Sequence, residues 1–249
     1  MNVFGNNNRI TFGSFLAYFV MSTVISPLGL VSGPIAEHFD ISIATATAAF
    51  TYLTGGIFVG TLIAVLIFDY VKLKQVVIGC SLVICLSIYV MYALDSFSVF
   101  ATALALIGVS CGIELSAAAV LIAKVYEEKL RASMLLLTDS FYSMAGVIST
   151  MLGGVLLARH FHWSSAYLLA FAVSLLIAVI AVSAKYPATR IRDTEPGDQY
   201  AIWDLPAGVH IIGLAMLVYL VGFVSIYSWV PNYAQASMGL SAEASSEIV

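Results

Sequence analysis

Seven apolar stretches separated by short polar connections set the pattern of this chain: Ile10–Val31, Ala44–Phe68, Val76–Leu94, Val99–Ala123, Met134–Ala158, Ser164–Ala184 and Pro206–Val230. A helix needs about 20 such residues to cross the hydrocarbon core of a bilayer, so the pattern predicts seven membrane-spanning helices. Gly, Ser and Thr recur inside every stretch, as expected where membrane helices pack closely together. The first stretch is too long for a cleaved signal peptide and no small-residue cleavage site follows it, so it is expected to remain as a span. The composition agrees: 10% of residues are charged, against about 25% in a soluble protein, which leaves too little polar surface to face water. With a net charge of -4 there is no basic patch for nucleic acid either. A soluble enzyme, a nucleic-acid binder and a disordered tail are excluded. The fold class expected is an all-α membrane protein in the lipid bilayer.

The positive charges give an orientation. Arg9, Lys72, Lys74, Lys124, Lys129, Arg131, Lys185, Arg190 and Arg192 all fall in one set of connections, and only Arg159 in the other. The richer side is cytoplasmic, so the N-terminus and the connection Lys185–Leu205 are expected inside. That connection opens basic and turns acidic, with Pro187, Pro196 and Gly197 breaking any helix. It divides the chain into a six-span unit (residues 1–184), a linker (185–205), a seventh span (206–231) and an external segment leading to an eighth (232–249). Trp163, Trp203 and Trp229 stand at span ends, where indole rings favour the headgroup layer.

Six spans, a cytoplasmic linker and a new span is the organisation of the major facilitator superfamily, and short segments resemble it. Phe68-Asp69-Tyr70-Val71-Lys72-Leu73-Lys74 is similar to the family's G-x-L-A-D-R-x-G-R-K loop: Asp69 and Lys74 match, while Val65 replaces the glycine and Tyr70, Lys72 and Leu73 depart. Gly108 and Gly112 stand where the family has a glycine cluster, with Leu104 in place of its arginine. Ser149-Thr150-Met151-Leu152-Gly153-Gly154 resembles G-P-x-x-G-G without the Gly-Pro. Leu137–Gly146 and Ser228–Ala234 look like the TsgA branch of the superfamily, bacterial inner-membrane proteins akin to fucose-type sugar:proton symporters. The resemblance implies a six-helix half made of two inverted three-helix repeats plus a seventh helix. It also implies a secondary transporter, not an enzyme, that carries a small polar solute such as a sugar by symport with protons. The family has twelve spans; seven are present here, so truncation is expected. The alternative reading is therefore a fragment that inserts but does not transport, unless a homodimer or a separate second half completes it.

Two ionisable side chains lie well inside spans, Glu114 in the fourth and Asp139 in the fifth. Each carboxylate costs about 2.5–3.5 kcal/mol to place at a helix centre, which makes function the first hypothesis. Measured from the ends of the apolar runs, Glu114 is about 13 Å deep and Asp139 about 7–8 Å. By the resemblance, spans one, two, four and five face the pathway, which makes Glu114 a candidate for proton coupling or substrate binding. A protonated packing residue is its bland alternative. Asp139 is expected to join Asp69, Lys72 and Lys74 in a cytoplasmic gating network, the alternative being substrate contact. Tyr18, Ser22 and Ser26 share one face of span one, either as a hydrogen-bonding stripe for a polyol or as small residues for close packing. Pro27 is expected to weaken that helix near its external end. Cys80, Cys85 and Cys111 fit no zinc or redox spacing and read as core residues. His160-Phe161-His162 is too short a cluster for a metal, and no cofactor motif is present.

Overall fold

The computed structural model describes residues 3–187 and 206–239. Most of the linker, and the segment after 239 expected to begin an eighth span, lie outside the described residues. Among those described, the chain is helical throughout: α1 (Val3–Ile25), α2 (Leu28–His38), α3 (Ile43–Ala48), α4 (Phe50–Tyr70), α5 (Leu73–Ala93), α6 (Phe97–Val125), α7 (Glu128–Ala158), a 3-10 helix (Trp163–Tyr167), α8 (Leu168–Ser183) and α9 (Ala207–Met238). Span one is α1 and α2, bent by 46° at the break, where Pro27 interrupts the helical hydrogen-bond ladder as expected. Span two is α3 with α4, span three α5, span four α6, span five α7 and span six the 3-10 helix with α8. Span seven is α9.

Several helices outrun the apolar stretches that announce them. α7 starts at Glu128 rather than Met134, because Glu, Lys, Leu, Arg and Ala all sustain a helix in water. α9 continues past residue 231 to Met238 and ends where Gly239 takes the left-handed conformation (φ 65°) that closes many helices. Trp163 also departs from expectation. It is buried, with Phe100 at 5.2 Å and Phe39 at 6.0 Å between ring centroids, and so belongs to an aromatic core beneath the interface rather than to the headgroup layer.

The packing shows two inverted repeats. Span two packs on four as span five packs on one; span three packs on four as span six packs on one. Spans one and four, and three and six, meet across the pseudo-two-fold axis. The closest of these contacts is α4 on α6. A methyl group at Gly56 or Gly60 would overlap the backbone of Ala105 or Val109, and one at Gly108 or Gly112 the backbone of Leu53 or Ile57. Two glycine pairs at four-residue spacing therefore interlock reciprocally, with no side chain between the backbones. In the symmetry-related contact, α7 on α1, Gly146 faces the hydroxyls of Ser22 and Ser26.

Candidate functional site

Glu114 points into the six-helix unit, towards α5. It is 2% exposed. Ser81 of α5 donates its hydroxyl to Glu114 Oε1, whereas Oε2 has no partner among the described residues. Cys80, Cys85, Cys111 and Tyr186 lie within electrostatic reach of this carboxyl group. Burial and Glu114 itself push the Tyr186 hydroxyl, at the basic end of α8, above its ordinary value. Among the described residues His38 and Asp95 form an ion pair, and none of them forms an ion pair with Glu114. A buried carboxylate with neither a counter-ion nor a full set of hydrogen bonds is costly, and a proton is the charge the site lacks. Ser81→Ala leaves both oxygens without a donor and should destabilise the protein by about 1–3 kcal/mol, read as a lower melting temperature in detergent.

The second carboxylate is placed differently. Asp139 and Glu114 are equally far from their helix ends, Glu128 and Val125, but the first turn of α7 is polar and exposed, so Asp139 stays nearer the basic face. Asp139 is exposed on α7, within electrostatic reach of the half-buried Tyr18, which stands beside Thr138.

The expected charge network is not assembled among the described residues. Lys74 Nζ donates to the carbonyls of Val182 (2.8 Å) and Ala184 (3.1 Å), closing the C-terminus of α8, where a cation meets both the free carbonyls and the negative end of the helix dipole. Asp69 Oδ1 is buried without a partner, and Lys72 is exposed. Asp139 makes no ion pair with them among the described residues, and its helix α7 packs chiefly on α1. The stripe on span one also divides. Tyr18 belongs with Asp139, whereas Ser22 and Ser26 are buried, 3.3 Å apart between hydroxyl oxygens and covered by Gly146. The same basic face carries a clasp that sequence reasoning missed. Asn6 donates to the carbonyl of Lys185 (2.8 Å) and accepts from its backbone N–H (2.7 Å), tying the start of the linker to α1.

Bent span one, two interlocked three-helix repeats and an intramembrane carboxylate define a polytopic helical protein with the architecture of half a solute carrier. Residues 10–248 match the Major Facilitator Superfamily, to which the chain belongs. It is similar to Protein TsgA of Shigella flexneri, at 34% identity over 95% of this chain and 60% of that protein. To the Protein TsgA homolog of Yersinia enterocolitica it is 28% identical over 98% of this chain and 62% of the relative. It thus spans about 60% of the length of these curated relatives. Its fold is shared with the POT family transporter PepTSo (TM-score 0.65, 13% identity, 100% of this chain and 51% of that one). The D-xylose-proton symporter is a second structural neighbour (TM-score 0.64, 10% identity, 99% and 65%).

Proposed function

We propose that this chain supplies the proton-binding six-helix unit of a secondary transporter that couples protons to the movement of a small polar, sugar-like solute. One observation carries the reading: among the described residues Glu114, buried in the half-carrier bundle, has one donor, one orphan oxygen and no counter-ion. A residue kept in the hydrocarbon region at that cost is best explained by a proton it takes up and gives back. Membership of a transporter superfamily and the shared fold of a D-xylose-proton symporter support the same direction. Ser81 holds the carboxyl group in place, and Tyr186, just past the end of α8, lies within its electrostatic reach. Asp139 and Tyr18, on the open side of α7 and α1, are the groups that would meet the solute.

Coverage supports the half-carrier reading. Most of the apolar stretch of α3 with α4, and of α7, is uncovered, whereas most of that of α6 is buried. These are spans two and five, which alternating access requires on the pathway side, facing the other repeat pair. The test is proteoliposomes in which the 249-residue chain is joined to the second half of a full-length relative such as Protein TsgA, loaded with a pH indicator and presented with a panel of sugars. Proton movement triggered by one of them is expected. Neither proton movement nor solute accumulation with any member would contradict the assignment.

The basic face is proposed to be cytoplasmic in a bacterial inner membrane. Cys80, Cys85 and Cys111 are buried and give a silent background for labelling. Gly5→Cys is expected to resist a membrane-impermeant thiol reagent in intact cells, and Glu37→Cys to react. The reverse pattern would invert the topology.

A further inference from the structure

On the face opposite the basic loops, three connections meet. His38 closes α2, Asp95 lies between α5 and α6, and His162 immediately precedes the 3-10 helix that starts span six. His38 Nε2 is 2.5 Å from Asp95 Oδ1. The rings of His38 and His162 meet edge to face, 5.1 Å between centroids. Tyr92 of α5 (5.8 Å) and Trp163 (5.0 Å) pack against the same His162 ring. Asp40 (φ 52°) and His160 (φ 58°) are the non-glycine residues with positive φ among those described. They turn the two loops back so that His38 and His162 come together, in a conformation that Asp and His tolerate better than most residues.

His162 Nδ1 accepts the backbone N–H of Ser164 at 3.4 Å and lies 2.7 Å from its hydroxyl, capping the 3-10 helix. A neutral imidazole has one N–H, and with Nδ1 accepting, that hydrogen is on Nε2. A second proton can therefore go only to Nδ1, where it turns the acceptor into a donor and ends the cap. The same proton sets a cation against His38, whose partner Asp95 is already engaged.

We propose that His162 is a proton-operated cap on span six: neutral, it starts the helix and packs on the His38–Asp95 pair; protonated, it releases both, so that acidifying this face loosens the junction of spans one, three, four, five and six. Burial first, and His38 second, hold His162 below its ordinary value of 6.5, while Asp95 pulls the other way. The sign follows. The cap's stabilisation is complete above pH 6.5 and is lost as the pH falls below it, because the unfolded chain takes the proton first. The remaining titratable or charged neighbours by sequence are Glu37 and Asp40 beside His38, and Arg159 and His160 beside His162. Of the groups around it, His38 and Asp95 act on His162. The inference stands apart from any transported solute.

The test uses the full chain in lipid nanodiscs with Trp203→Phe and Trp229→Phe, which leaves Trp163 as the single tryptophan. An imidazolium quenches an indole packed against it, and the His162 and Trp163 rings meet at 5.0 Å, tilted by 40°, so Trp163 emission should fall in one transition with its midpoint below pH 6.5. His38→Gln should raise that midpoint and Asp95→Asn lower it. His162→Asn, which caps without titrating, should fold and show no transition. A transition that survives His162→Asn, or that moves down in His38→Gln, overturns the proposal, as does a flat response in the parent.

Discussion

Valine in place of Gly60 or Gly108 is expected to prevent a stable bundle. At these positions the obstacle is the carbonyl backbone of the facing helix, Val109 for Gly60 and Leu53 for Gly108, and backbone cannot swing aside as a side chain can. The two helices must separate along the largest interface of the half-bundle, losing the dispersion contacts that drive association in lipid. Overpacking a well-packed core costs about 1–3 kcal/mol, and with backbone as the obstacle the upper part of that range or more is expected. In detergent the variants should melt well below the parent or elute as aggregates. Gly79→Ala is the control: a methyl group there meets nothing within 4 Å, and replacing Gly by Ala in a helix interior is favourable by about 0.5–1 kcal/mol. Equal melting of Gly60→Val and Gly79→Ala would show that the α4–α6 contact is looser than the structure has it.

Glu114→Gln is expected to separate folding from coupling. Glutamine keeps the shape and an oxygen for the Ser81 hydroxyl, and it removes a buried ionisable group, so the melting temperature should hold or rise. Proton movement in the proteoliposome experiment should vanish completely, because an amide cannot release a proton in this range. Glu114→Ala, by contrast, leaves the Ser81 hydroxyl without its acceptor and opens a cavity, and should destabilise by about 2 kcal/mol or more. Undiminished proton movement in the Gln variant would reduce Glu114 to a packing residue.

The spans were legible because membrane insertion is a one-dimensional requirement, a length of apolar chain, and Pro27 marked its own bend. Helix ends were less legible where polar residues continue a helix into water, as at Glu128. The glycine pairs could be read on each helix but not matched, since pairing depends on which helices are neighbours. The same gap misplaced the charge network: Lys74 and Asp139 both border the basic face, but the inverted repeat sends α7 to α1 and leaves Lys74 to the end of α8. Glu114 stood out by its charge, whereas Ser81 was one serine among many. His38, Asp95 and His162 came from connections too distant in sequence to associate without the fold.

The most direct measurement of the central assignment is the infrared spectrum of Glu114 in the purified chain, with glutamate carboxyl carbons labelled by 13C. A protonated-carboxyl band is expected that shifts with the label, exchanges in deuterium oxide, responds to pH and is missing from Glu114→Gln. A spectrum in which parent and variant carry the same carboxyl bands across the pH range would contradict it, since Glu114 would then hold no exchangeable proton.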